Sequence, residues 1–182
     1  MRTDVSALIL AGGKATRLGG VDKSALVVEG RTIFERQVAA LRDAVAEIIV
    51  SSSRDIVGFR TVRDTVEDGG PLAGIAAGLA AARTPRLLVL AGDMPNVTRA
   101  LVERMLARTG DDIDAVGIRI DGLPEPLACL LRVSSCTQIV QARLAARALK
   151  ASRLLTDAEL RVDWLDDVPR RDLFNVNEPE DL

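Results

Sequence analysis

Val5-Ser6-Ala7-Leu8-Ile9-Leu10-Ala11-Gly12-Gly13-Lys14-Ala15-Thr16-Arg17-Leu18-Gly19-Gly20-Val21-Asp22-Lys23 decides the fold. Val5–Leu10 is an apolar run that stops abruptly at glycine, which predicts a buried strand. Gly12, Gly13, Gly19 and Gly20 follow it, interleaved with Lys14, Arg17 and Lys23. Glycine lets a backbone turn sharply and come close to a ligand. Free N–H groups in such a turn aim at phosphate oxygens, and cations neutralise their charge. There is no GxGxxG, so the dinucleotide fingerprint is absent. Lys23-Ser24 resembles the end of a P-loop, but Asp22 stands where its glycine belongs.

Working outward, strand-like and helix-like stretches alternate. Thr32 and Glu35 form a capping-box pair opening a helix that carries Phe34, Val38 and Leu41 on one face. Val45–Val50 reads as a second strand and residues 59–63 as a short third. Pro71 begins an Ala-rich helix running to about Ala82, and Arg86–Ala91 reads as a central strand. Thr98 caps a helix with Leu101, Val102, Met105 and Leu106. Ile113–Ile120 and Leu127–Arg132 read as strands around a Pro-rich connection. Ser134 or Ser135 is expected to cap a helix reaching about Lys150, and Arg161–Leu165 is a last strand. Alternation of this kind gives a mostly parallel sheet with helices on both faces. Ligands then sit beyond the strands' carboxyl ends, so the loops after Leu10, Val50, Asp64 and Ala91 share one rim.

Composition narrows the chemistry. The 182 residues fit one domain of 1–182. Having no His excludes Ser-His and Cys-His nucleophiles and His-based zinc sites. A net charge of -2 and 2% aromatic residues argue against a nucleic-acid partner. Cys129 and Cys136 fit no CxxC motif and read as small buried hydrophobes. The apolar run at the N-terminus is too short for a membrane span, so the expected location is the cytoplasm. Asp93 ends an apolar strand in Gly92-Asp93-Met94-Pro95, where a carboxylate suits Mg²⁺ held against phosphates. Arg143, Arg147, Lys150 and Arg153 fall near one helical face, which reads chiefly as solvated surface.

The stretch from Leu10 to Lys23 resembles the molybdenum cofactor guanylyltransferases, whose signature is L-A-G-G-x-x-x-R-x-G-G-x-D-K. Gly70-Pro71-Leu72-Ala73-Gly74, Gly92-Asp93-Met94-Pro95 and Asn175-Val176-Asn177-Glu178-Pro179-Glu180 match further family segments in order. The resemblance implies a three-layer α/β/α nucleotidyltransferase fold with a Rossmann-like, mostly parallel sheet. It implies that Leu10, Ala11, Gly12 and Gly13 approach GTP with their backbone, while Arg17 and Lys23 contact its phosphates. Asp64 and Gly74 are placed near the guanosine, and Ser51 stands where the family often has Asn. Asp93 is implied as the Mg²⁺ ligand, and Asn175 and Asn177 as acceptor-side residues. Pro124-Glu125-Pro126-Leu127 occupies the family's acceptor-side loop. The implied reaction passes GMP from GTP to the phosphate of molybdenum-molybdopterin, releasing pyrophosphate, with Arg17, Lys23 and Asp93 as catalytic groups. Transient contact with enzymes that make or receive the cofactor goes with that role. Two other readings stand beside it. One is a sibling enzyme that transfers CMP to molybdopterin, or a nucleotide to a sugar phosphate. The other is a non-catalytic GTP-binding module, against which Lys23 and Asp93 together argue.

Overall fold

The computed structural model describes residues 4–11, 23–64, 66, 68–156 and 159–176. Its centre is a 7-stranded sheet. The first strand, β1 (Val5–Leu10), is buried along its whole length. It lies between two parallel neighbours, β4 (Glu47–Ser51) and β6 (Arg86–Ala91). A strand covered on both faces has no use for polar alternation, and this explains the unbroken apolar runs in β1 and β6. Outside β4 lies β5 (Arg60–Val62), also parallel. Beyond β6 come β8 (Leu123–Arg132), β7 (Ala115–Ile120) and the edge strand β9 (Val162–Leu165). β8 runs antiparallel to both neighbours, while β7 and β9 are parallel to each other. A small ribbon, β2 (Val27–Val28) with β3 (Arg31–Thr32), stands apart from the sheet.

Helices cover both faces. α1 (Ile33–Leu41) and α3 (Arg99–Ala107) pack on one side, and α2 (Gly70–Ala81) and α4 (Val133–Ala145) on the other. The chain therefore has the expected three-layer form with a mostly parallel sheet. Thr32 caps α1 with the reciprocal Glu35 bond, and Thr98 Oγ1 accepts from Leu101 N, as their spacing requires. α2 is pressed hard onto the sheet: a Cβ on Gly78 would lie 2.4 Å from Leu8 Cδ2.

Three expectations for the second half change. β8 begins at Leu123, so the Pro-rich stretch is inside the strand rather than a connection. It is accommodated by a register shift, with Val116 opposite Leu130 but Ile118 opposite Glu125. Prolines, which donate no ladder bond, are tolerated at such a bulge. Neither Ser134 nor Ser135 caps α4, whose cap position is Arg132 without a side-chain bond. Ser135 Oγ instead donates to Asp114 Oδ1 at 2.7 Å. Finally α4 ends at Ala145, and Arg147 takes a left-handed φ of 54°. Arg143, Arg147, Lys150 and Arg153 thus share no single helical face.

Asp114 anchors the end of the sheet opposite the ligand rim. Its Oδ2 accepts from Arg161 N at 3.1 Å and Arg161 Nε at 3.2 Å. The Ser135 hydroxyl, the Arg161 backbone amide and the Arg161 guanidinium hold its pKa down at about 2 against the opposing effect of burial.

Candidate active site

The carboxyl ends of β1, β4 and β6 meet at one rim, because parallel pairing aligns Leu10 with both Ser51 and Ala91. Ala11 N donates to Ser51 O at 3.0 Å, and Gly92 N donates to Leu10 O at 3.0 Å. Gly92 has to be glycine here, since a Cβ would stand 2.6 Å from the Leu10 carbonyl oxygen. Gly74 faces the same point from α2: its Cβ would meet Leu10 Cδ2 at 2.8 Å and Ser51 Oγ at 2.9 Å. Leu10, Ser51 and Gly74 therefore converge, although they lie far apart in sequence. Ser51 and Gly74 are buried, so the smallness of Gly74 also serves close packing of helix on sheet. Asp64 lies exposed just beyond β5.

Asp93 follows β6 at the middle of this rim. Lys23, in a short 3-10 turn (Lys23–Ala25), places Nζ 3.3 Å from Asp93 Oδ2. Both side chains remain about a quarter exposed, at 26% and 23%. The loop is held from behind by Gln37 of α1, which is fully buried. Its Nε2 donates to Ala91 O at 2.6 Å and to Met94 O at 3.1 Å, bracketing Asp93. Val176 N donates to Asp93 O at 2.9 Å, bringing the C-terminal segment with Asn175 to the same loop. Gly12, Gly13, Arg17 and Asn177 lie outside the described residues.

Two neighbours were not singled out as site residues by sequence. Gln37 is one; a glutamine on the otherwise apolar buried face of an amphipathic helix is the signal. Glu125 of β8 is the other. Burial raises its carboxyl pKa, the Leu127 N–H opposes this, and the nearby negative charge of Asp93 raises it further. Cys129 and Cys136 are buried as expected, and burial pushes the thiol of Cys136 up to about 12, far from reactivity.

Among the described residues no group of three or more His, Cys, Asp or Glu is arranged to hold a metal by itself. A single rim carboxylate beside a lysine suits Mg²⁺, which takes one or two carboxylates and completes its shell with phosphates and water. It does not suit a closed structural zinc site. No helix among the described residues is long and apolar enough to cross a membrane.

A parallel rim that sets a lysine against an acidic strand end, in a chain whose sequence runs from β1 into a glycine-rich stretch, fits a nucleotidyltransferase. Comparison with known proteins agrees. A family model described as the MobA-like NTP transferase domain matches residues 7–162. The molybdenum cofactor guanylyltransferase of Pseudomonas aeruginosa is 36% identical over 183 residues, covering 96% of this chain and 91% of its own. The chain thus belongs to the MobA-like NTP transferase family, among the molybdenum cofactor guanylyltransferases. Solved structures share the fold. Molybdopterin-guanine dinucleotide biosynthesis protein A from Archaeoglobus fulgidus superposes with a TM-score of 0.74 at 22% identity, covering 97% of this chain and 94% of its own. The 2-C-methyl-D-erythritol 4-phosphate cytidylyltransferase from Thermus thermophilus also reaches 0.74 at 22% identity, with 98% and 95% covered.

Proposed function

We propose that this enzyme transfers GMP from GTP to the terminal phosphate of molybdenum-molybdopterin. The observation that carries this reading is the Lys23–Asp93 contact at 3.3 Å, on the rim where Leu10, Ser51 and Gly74 converge. An acceptor phosphate oxygen forms a bond to the α-phosphorus of GTP, the bond from that phosphorus to the bridging oxygen breaks, and pyrophosphate leaves. The acceptor is already anionic, so no protein nucleophile is required.

The chain's own groups then position and neutralise. Leu10, Ala11, Gly12 and Gly13 offer backbone to the nucleoside, with Ser51, Asp64 and Gly74 beside it. Arg17 and Lys23 draw charge from the phosphates. Asp93 would hold Mg²⁺, which when bound offsets the negative charge of the triphosphate. Asn175 and Asn177 would face the acceptor. In this reading residues 1–109 bind the nucleotide and 110–182 the acceptor. Membership among the guanylyltransferases supports GTP and a molybdopterin-type acceptor. The test is direct: incubate the protein with GTP, Mg²⁺ and molybdenum-loaded molybdopterin. Molybdopterin guanine dinucleotide and pyrophosphate should form in equal amounts. GTP binding without product would leave a binding module, and product from CTP alone would make it a cytidylyltransferase.

A further inference from the structure

Arg119 of β7 lies over the indole of Trp164, with its guanidinium carbon 4.1 Å from the ring centroid. This is the chain's single Trp, in a sequence with no Tyr. The arrangement is built into the sheet. Gly117 pairs with Trp164 across β7 and β9, and any Cβ on Gly117 would stand 2.6 Å from Trp164 Cζ3 and 3.1 Å from Leu155 Cδ1. Glycine at 117 is what lets the indole lie against the strand. On the outer side, Arg119 Nη1 reaches Asp166 Oδ1 at 3.5 Å, a loose pair with both side chains a third or more exposed, at 36% and 62%. Such a pair costs little to rearrange.

The position relative to the rim is equally specific. Trp164 packs in the same layer as Leu10 and α2, on the face proposed for the nucleoside. Strand order sets β6, with Asp93 just past its end, between β1 and β8. β7 is two strands from β6, about 10 Å at ordinary strand spacing. β8 is antiparallel to both β6 and β7, so β6 and β7 run the same way and Arg119, near the carboxyl end of β7, lies toward the end of the sheet where Asp93 follows β6. Asp93 and the Arg119–Trp164 pair therefore lie toward the same end of the sheet, separated by β8. A guanidinium is planar, and one resting over an indole still offers its far side and its edge N–H groups.

We propose that Arg119, backed by Trp164, is the stacking floor for the flat heterocycle of the acceptor while the acceptor's phosphate reaches the rim at Lys23 and Asp93. This rests on the functional reading above and adds how the acceptor is recognised. The ligand class is a phosphate ester with a planar nitrogen heterocycle a few bonds away, which the pterin of molybdopterin satisfies.

The experiment measures GMP transfer to molybdenum-loaded molybdopterin by the wild type and by Arg119→Ala, Arg119→Lys and Trp164→Phe. Arg119→Ala should raise the KM for the acceptor about tenfold, leave the KM for GTP within about twofold of wild type and leave the melting temperature unchanged. Lysine keeps the charge but has no flat face, so Arg119→Lys should behave like the alanine variant, whereas Trp164→Phe keeps a ring and should be milder. Titrating the acceptor should change Trp164 emission, and the midpoint should move to higher concentration in Arg119→Ala. An unchanged acceptor KM in Arg119→Ala, or full rescue by Arg119→Lys, overturns the stacking role while leaving the functional reading in place. A wild-type protein that transfers no GMP to molybdopterin overturns the functional reading, and this inference with it.

Discussion

Three residues around one loop separate chemistry from support. Lys23 and Asp93 touch each other on an accessible rim and contribute little to the core. Lys23→Ala should cut turnover about a hundredfold or more while GTP affinity changes only a few-fold, because a cation that follows developing charge acts mainly in the transition state. Turnover and calorimetric GTP affinity measured on one preparation check this; unchanged turnover would make Lys23 a binding residue only. Asp93→Asn keeps shape but removes charge, so it should lose most activity with a melting temperature within about 2 °C of wild type. A destabilised but fully active variant would remove Asp93 from the metal assignment. Gln37→Leu should do the reverse in stability. It strips the donor from two carbonyls, Ala91 O and Met94 O, that a buried side chain now satisfies. Leaving them unpaired costs about 1–3 kcal/mol, or roughly 2–12 °C in a chain of this size. Activity should fall too, since the loop bearing Asp93 loses its support. A Gln37→Leu protein with wild-type melting would show that those bonds hold nothing in place.

At the scale of elements, Asp114 ties the start of β7 to α4 and to the turn before β9. Its pKa falls from 3.8 to about 2 on folding. A depressed carboxyl pKa contributes stability that is fully present above the unfolded value and lost as pH falls through the folded one. Urea midpoints of the wild type should therefore drop between pH about 4 and about 2, and the Asp114→Asn curve should be flatter across that window and lower at pH 7. Because Asp114 lies at the end of the sheet away from the rim, GTP affinity at pH 7 should not change. A parallel fall in both proteins would assign the acid sensitivity to other carboxylates. The same cluster shows why α4 was harder to read than α1. The bonds of Thr32 and Glu35 are local, so spacing reveals them. Ser135 meets the sequence rule for a cap, yet its hydroxyl goes to Asp114, a partner 21 residues away. The prolines of β8 misled for a related reason: proline is tolerated at a bulge, and β8 carries extra residues between Glu125 and Leu130 opposite Val116–Ile118 of β7.

For the molecule as a whole, the rim was legible because parallel strands bring successive loops to one end of the sheet, which placed Leu10, Ser51 and Asp93 together from sequence, while Gly74 came from the family resemblance. The Arg119–Trp164 pair proposed for the acceptor was not, since it forms only through the pairing of β7 with β9, which no local pattern announces. The fold also leaves the base undecided: a cytidylyltransferase superposes as well as a guanine-dinucleotide enzyme does, each with a TM-score of 0.74. Discrimination must come from the rim itself. With 2% aromatic residues there is little to stack a base upon, so its edge has to be read by hydrogen bonds. A site of that kind rejects the wrong base strongly, because its buried polar groups are then left unpaired. Binding to the folded state alone stabilises by about 2.7 kcal/mol at a hundred times Kd. For a chain of 182 residues this corresponds to roughly 5–11 °C in melting temperature. GTP with Mg²⁺ should produce a shift of that size, and CTP at the same concentration a shift of no more than about 2 °C. Equal shifts from the two nucleotides would show that the rim reads phosphates and ribose but not the base, and guanine specificity would then have to be abandoned.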